Sequence, residues 1–223
     1  MTGMLALVGG GEWTEGCTFD SLLVAASGAA EVAVLPTGSA YENPGRLVDQ
    51  ARTWFQALGV GVVEVPVLTR RDAMTAEHAA VLRSARMIYL AGSSAMHLRA
   101  VLKDTPVFEA VLEAWAAGAA LAGTNAGADV LCDPMVDSRG GAFTVGLGVV
   151  SQLAVIPRLE DWSRDKVHRT VELAPSGLSL AGIPTRTALV RDTDGAWRAE
   201  GASVDEVRVF IDGASMTPAD LRA

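Results

Sequence analysis

Five short apolar runs, separated by amphipathic helical stretches, constrain this chain more than any other feature. They lie in MLALV (4–8), EVAVLPTGS (31–39), VGVVEVPVL (60–68), MIYLAG (87–92) and AALAG (119–123). Each core is apolar at consecutive positions, the mark of a strand covered on both faces. Between them, TFDSLLVAASG puts Phe19, Leu22, Leu23 and Ala26 on one helical face and stops at Gly28. PGRLVDQARTWFQALG repeats Leu47, Ala51, Trp54, Phe55 and Leu58 at helical spacing, with Gly59 as a C-cap. TAEHAAVLRSA, SAMHLRAVLKD and PVFEAVLEAWAAG follow, the last with Pro106 suited to a first helical turn. The expected fold is α/β: a three-layer, doubly wound, mostly parallel sheet clothed by helices on both sides.

The texture changes after about residue 140. AFTVGLGVVSQLAVI is rich in β-branched residues and glycine, and WSRDKVHRTVEL reads as one more helix. LSLAGIP, TALVRD, GAWRAE and VRVFID read as C-terminal antiparallel strands, with the Asp-Gly of RDTDGAW marking a hairpin turn. No linker, repeat or low-complexity segment interrupts the chain, so residues 1–223 are expected to form a single domain. At 223 residues and 50% hydrophobic content the chain can bury a substantial core.

Charge and composition exclude several classes. The formal net charge is −8, the pI is about 4.9, and no run of Lys or Arg exceeds two. A phosphate-tracking nucleic-acid surface needs clustered cations, so no nucleic-acid partner is expected. No apolar stretch is long enough to span a bilayer, and the N-terminus lacks the basic region of a signal peptide. Cys17 and Cys132 give no disulfide framework. They read as small buried hydrophobes in a chain expected to be cytoplasmic. Gly9-Gly10-Gly11 lacks the further glycine and distal acid of a dinucleotide fingerprint, and no two histidines share a helix at ligand spacing. Neither a cofactor nor a metal is expected.

LAGTNAGADV (121–130) carries the outline of a nucleophile elbow, the tight strand-to-helix turn that lifts a reactive side chain above a sheet. The tip, however, is Asn125, whose amide is no nucleophile in ordinary hydrolysis. Asn is among the few non-glycine residues that tolerate the positive φ such a tip requires. Ligands of open α/β sheets sit at the carboxyl ends of the strands. GGGEW, LPTGSAYENPG, LAGSSAMH and the elbow are expected to converge there.

These motifs, in their order and spacing, resemble the serine exopeptidases of the dipeptidase E and cyanophycinase group, whose fold is similar to class I glutamine amidotransferases. GTNAGAD looks like their G-[TW]-S-A-G-A elbow. LVGGGE and VLPTGSA look like their first two strand–loop units, and IYLAGSSAMHLRAVL like the segment that supplies oxyanion binding. GLGVVSQLAVIPRL looks like the segment ending in their catalytic histidine, and GIPTRTALV like their Gly-[IL]-x-Glu segment. The resemblance implies that Asn125 stands at the nucleophile position, Arg158 at the histidine and Thr185 at the glutamate. Ala91-Gly92-Ser93-Ser94 stands where the family usually has Gly-Gly-Asn or Gly-Gly-Asp.

Loss of nucleophile and base together removes both halves of an acyl-transfer unit. The first expectation is therefore a catalytically degenerate homologue, a pseudoenzyme that binds a small anionic ligand, peptide or amino-acid-like, or serves as a structural subunit. Its pocket is expected to include Gly10 and Gly11, then Gly92, Ser93 and Ser94, then Asn125 and Ala126. Arg158 and Arg186 would add positive charge, and Arg presents a fork of donors matched to carboxylates. A second expectation is an active serine-type exopeptidase or amidohydrolase with a rearranged nucleophile, Ser93 or Ser94 with His97 as base. A third is an interaction protein, a homo-oligomer or one pairing with an active relative, to which the mean hydropathy of +0.29 adds a weak hint. His78 and His168 lie on polar helix faces and are expected to be solvated.

Overall fold

The computed structural model describes residues 2–221. The chain opens with β1 (Leu5–Val8), α1 (Phe19–Ser27), β2 (Glu31–Gly38), α2 (Pro44–Ala57) and β3 (Gly61–Glu64). It continues through α3 (Arg70–Ala73), α4 (Ala76–Ser84), β4 (Met87–Gly92), α5 (Ala95–Leu102), α6 (Pro106–Ala116), β5 (Ala120–Thr124) and α7 (Ala126–Leu131). β1, β5, β4, β2 and β3 lie side by side in that order, all parallel. The register of β1 on β5 runs from Leu5 opposite Leu121 to Val8 opposite Thr124.

Alternation along β1 shows why the sheet is apolar on both faces. Ala6 and Val8 pack with Phe19, Leu23 and Phe55 of α1 and α2. Leu5 and Leu7 pack with Leu82, Leu98 and Val111 of α4, α5 and α6. Each such aliphatic side chain taken from water contributes roughly 1.5–3 kcal/mol, which is why a continuous apolar run is the sequence sign of a two-sided strand. The helix ends follow their residues. Gly28 closes α1 at φ 62°. Asn43 accepts from the Arg46 N–H ahead of α2, and Thr105 accepts from the Phe108 N–H ahead of α6, each followed by proline. β3 stops at Glu64, before Pro66, so the second half of VGVVEVPVL runs outside the sheet.

After α7 come two short ladders: β6 (Cys132–Asp133) with β9 (Val150–Ser151), and β7 (Met135–Val136) with β8 (Phe143–Thr144). β10 (Leu153–Pro157), α8 (Arg164–Leu173), β11 (Ser179–Ile183), β12 (Thr187–Arg191), β13 (Trp197–Gly201), β14 (Arg208–Ile211) and β15 (Ala214–Met216) complete the chain.

The C-terminal strands expected to be antiparallel do pair so, β12 with β13 and β11 with β14, but they divide between two sheets. β12 and β13 do form a hairpin around Gly195, and it joins the main sheet antiparallel to β1. β11 belongs to a separate four-stranded sheet ordered β10, β11, β14, β15, and it runs parallel to β10. Pro184 and Arg186, the latter at φ 57°, break the chain between β11 and β12 and send it from one sheet to the other. Val155, Ala181 and Ile183 of the small sheet join the core shared with α4 to α7. Ala154, Ile156 and Leu180 on its other face pack with Trp162 and Val171 around α8.

A buried polar cluster lies beneath the loop after β1. Both Asp20 carboxylate oxygens accept hydrogen bonds, one from Tyr89 Oη at 2.8 Å and one from Trp54 Nε1 at 2.9 Å. Trp13 stands edge-on to Tyr89, their ring centroids 5.3 Å apart. Burial pushes the Asp20 carboxyl up to about 7, although both hydrogen bonds favour the charged form.

Candidate functional site

The carboxyl ends of β1, β2, β4 and β5 bring their loops to one side of the sheet, and the elbow is the central one. Asn125 sits at φ 52°, ψ −114°, a strained conformation typical of such a tip. Its N–H donates to Val8 O at 2.9 Å, and its carbonyl accepts from the N–H groups of Ala128 and Asp129. The two glycines of Gly-x-Asn-x-Gly are required by close backbone approach. A Cβ on Gly127 would run into the carbonyl oxygen of Leu90 on β4, and one on Gly123 into the Gly127 peptide. Asn125 thus holds a shape that its glycine neighbours make possible.

The Gly9–Gly11 loop joins the elbow to two other segments. Gly9 O accepts from the Arg158 N–H at 2.8 Å, and Gly10 O from the Arg186 N–H at 2.7 Å. Both arginines are held at positive φ, 54° and 57°. Gly10, at φ 106°, faces Arg158 and Asn125, whereas Gly11 faces Thr185 and Arg186. The loop therefore divides the sequence-expected residues into two sides. Asn125, Ala126, Arg158 and Ser93 line one hollow of about 200 Å³. Thr185 and the exposed Arg186 lie across the glycines from it. The Thr185 N–H donates to the Glu160 carboxylate at 3.1 Å, and Thr124 Oγ1 donates to Glu12 at 2.9 Å.

The loop after β4 supplies the other wall. Gly92, at φ 121°, packs against Gly38 and Ser39 of the β2 loop. The N–H groups of Ser93 and Ser94 both donate to Gly38 O, at 3.2 and 3.1 Å. Ser93 Oγ donates to Glu42 Oε1 in a short hydrogen bond. Ser94 Oγ caps α5 by accepting from the His97 N–H at 3.4 Å. The His97 ring turns elsewhere: its Nε2 meets Leu68 O at 2.9 Å, and its face is edge-on to Tyr41. Ser94 and His97 therefore meet through main chain, not through a hydroxyl–imidazole pair. His78 Nδ1 meets Thr75 Oγ1 at 2.8 Å, and the exposed His168 faces Glu172 at 3.3 Å.

Arg158 is not an unbalanced charge. Its Nε donates to Asp161 at 2.6 Å, with both side chains about half exposed. Sequence reasoning passed over Asp161, although its i+3 spacing from Arg158 was visible. It also passed over Asp129, four residues beyond Asn125 and within α7. Asp129 lines the hollow at the elbow together with Asp161 and Trp162. Asp129 is 4% exposed, and its carboxyl accepts from the Val136 N–H at 2.9 Å. Burial pushes it well above the ordinary carboxylate range, and the nearby Asp137 charge adds to the rise. A second hollow, of about 280 Å³, adjoins the first and is walled by Met96, Met135, Val136 and Arg139.

Among the described residues, no group of three or more His, Cys, Asp or Glu side chains is placed to hold a metal ion. No described helix is long and apolar enough to cross a membrane. Cys17 and Cys132 are both buried and unpaired, as small hydrophobes would be.

Comparison with known proteins agrees with this architecture. Peptidase family S51 matches residues 5–197. The cyanophycinase of Trichormus variabilis is 26% identical over 181 residues, covering 76% of this chain and 60% of that protein. The cyanophycinase of Thermosynechococcus vestitus is 27% identical over 185 residues, covering 77% and 56%. The chain thus spans little more than half the length of these relatives. A crystal structure of a peptidase from an acI-B1 Actinobacterium superposes with a TM-score of 0.84 at 28% identity, covering 99% of this chain and 96% of that one. A putative peptidase E protein from Listeria monocytogenes shares the fold, with a TM-score of 0.68 at 19% identity over 91% of this chain and 100% of that one.

Proposed function

This chain belongs to peptidase family S51, and from that premise we propose that it is a catalytically silent member whose elbow cleft binds a small carboxylate-bearing ligand, an amino acid or short peptide. The observation that carries the reading is the tip itself. Asn125 occupies the strained elbow position, and none of the three histidines lines the hollow beside it. Acyl transfer needs a nucleophile and a base within hydrogen-bond reach. An amide supplies neither. Arg158 is the cation lining that hollow, and only its Nε is engaged by Asp161. The rest of the guanidinium fork is free to meet a ligand carboxylate.

Mass spectrometry of the purified protein incubated with a mixture of dipeptides and isopeptides tests the silence, with Asn125→Ala run in parallel. No turnover is expected from either. Turnover that survives Asn125→Ala would send the chemistry back to Ser93, Ser94 and His97. Thermal-shift titration with the same compounds tests binding, and Arg158→Met should abolish any shift.

A further inference from the structure

Beyond the turn that carries Arg158, a hollow of about 540 Å³ opens between α8 and the small sheet. One stripe of α8 faces it: Arg164, Val167, His168 and Val171 recur at i, i+3, i+4 and i+7. The opposite face of the helix is already engaged. There Lys166 and Arg169 donate to the carbonyls of Ser138 and Gly140, and Thr170 is buried. The floor of the hollow is apolar. Leu159, Trp162, Val171 and Phe210 pack at the edge of the cluster around Ala154, Ile156 and Leu180, each only partly covered.

The rim is cationic. No acidic residue lines the hollow, in a chain with 26 Asp and Glu against 18 Lys and Arg. Arg164 is exposed and makes no hydrogen bond or ion pair with any described residue. Arg208 is exposed and donates only through Nη1, to the carbonyls of Asp205 and Val207, so its Nε and Nη2 stay free. His168 is already turned to Glu172 at 3.3 Å. Flanking acids have other partners: Asp161 holds Arg158, and Asp212 accepts from the Gly177 N–H.

We infer that this hollow is a binding site, separate from the elbow cleft, for a small carboxylate with an apolar tail. The tail lies on Trp162, Val171 and Phe210, and the carboxylate meets Arg164 and Arg208. A neutral or cationic ligand would leave both guanidinium groups unanswered, whereas their forks match a carboxylate. The volume falls within the range of small-molecule sites, roughly 300–1,000 Å³. A stable protein partner would need a broader face, on the order of 800 Å² from each side. Trp162 lines both this hollow and the one at Asn125, so the two sites share that ring.

NMR titration of isotope-labelled protein with hydrocinnamate, its neutral amide and acetate tests this at neutral pH. Hydrocinnamate should saturate by roughly 20 mM, as expected of a ligand of its size. Its shifts should centre on the Trp162 indole N–H and the backbone of α8 and β14. The amide is expected to bind roughly 5- to 30-fold more weakly, the effect of two exposed cation contacts, and acetate should not saturate. The double variant Arg164→Gln, Arg208→Gln changes only exposed side chains and should fold, which its unfolding midpoint checks. It should weaken hydrocinnamate by the same factor and leave the amide unchanged, whereas Arg158→Met should leave hydrocinnamate binding intact. Equal binding of acid and amide, no effect of the double variant, or no saturation overturns the site. Shifts centred on Asn125 and Ala126 and lost in Arg158→Met would put the compound in the elbow cleft and overturn it too. So would a dimer, seen by light scattering, that the double variant makes monomeric, since a second copy would then fill the hollow.

Discussion

Replacing Asp20 by Asn isolates the buried charge beneath the Gly9–Gly11 loop. The side chain is fully buried, and its carboxyl is raised from 3.8 to about 7 by loss of solvent. A carboxyl with a raised folded value favours the native state at low pH. The benefit is complete below about 3.8, declines as the unfolded chain ionises first, and is gone above about 7. The shift spans roughly 3 units, and each unit is worth 1.36 kcal/mol. The native protein therefore loses about 4 kcal/mol from this one group between pH 4 and pH 8, an upper bound because a real interior relaxes around a charge. Asn has nearly the same shape. Its oxygen can accept from Trp54 Nε1 while its amide donates to Tyr89 Oη, so the cluster stays bonded without a charge.

Urea unfolding followed by tryptophan fluorescence at pH 5, 6, 7 and 8 measures the effect, with wild type and Asp20→Asn compared at each pH. The difference between the two proteins cancels the titration of the other carboxylates, including Asp72 and Asp137, whose values are lowered by their hydrogen bonds. The variant should gain on the wild type by up to roughly 2.5 kcal/mol from pH 5 to pH 8. A difference constant across that range would falsify the assignment of a buried, reluctantly ionised Asp20.

Three further outcomes follow from particular contacts. Asn125→Ser combined with Arg158→His restores the side chains that the family resemblance places at these positions, on backbone already held at positive φ. The double variant should hydrolyse dipeptides at a rate at least roughly 100-fold above either single variant, since nucleophile and base act as a unit. Equal rates would show that more than these side chains is missing. Gly127→Ala drives a methyl into the Leu90 carbonyl. It should cost roughly 3 kcal/mol or more by chemical denaturation, beyond ordinary surface effects. Cys17 and Cys132 are buried and their thiols are pushed up by burial. Labelling by a thiol reagent at pH 7.5 should be slow in native protein and complete in denaturant, and fast native labelling of Cys132 would contradict the packing of α7.

The parallel strands and their helices were readable because two-sided burial leaves a direct mark: β1, β2, β4 and β5 are apolar at every position that reaches a helix layer. The C-terminal strands left no comparable mark. LSLAGIP and TALVRD look alike as short apolar runs, yet Ser179–Ile183 pairs parallel with β10, while Thr187–Arg191 pairs antiparallel with β1. A run of five residues encodes burial, not the identity of its neighbour, and the break at Pro184 and Arg186 is a local signal whose consequence is long-range. The candidate site was legible in the same uneven way. Motif order placed Asn125, Ala126, Arg158 and Ser93 at one hollow, but adjacency of Thr185 and Arg186 in sequence could not say which side of Gly10 and Gly11 they would take. Asp129 was in view at i+4 from Asn125, but its burial against the hollow was not.

An elbow with Asn125 at its tip has a physical account in the backbone. Gly123 and Gly127 let α7 lie directly on β4 and β5, and α7 in turn contributes Ala128, Val130 and Leu131 to the core beneath the sheet. Giving up the strained turn at Asn125 would displace that helix and expose those residues, at a cost of several kcal/mol by area alone. The strain of one positive-φ residue is of order 1–3 kcal/mol and is smaller. The Gly9 and Gly10 carbonyls pin Arg158 and Arg186 in the same way, through main-chain N–H groups that any non-proline residue could offer. The frame around the cleft is therefore fixed by backbone contacts and glycines, while the side chains at positions 125, 158 and 185 can change without loss of the fold. Retention of the frame is evidence about packing, and the chemistry at the cleft has to be read from the groups that face it.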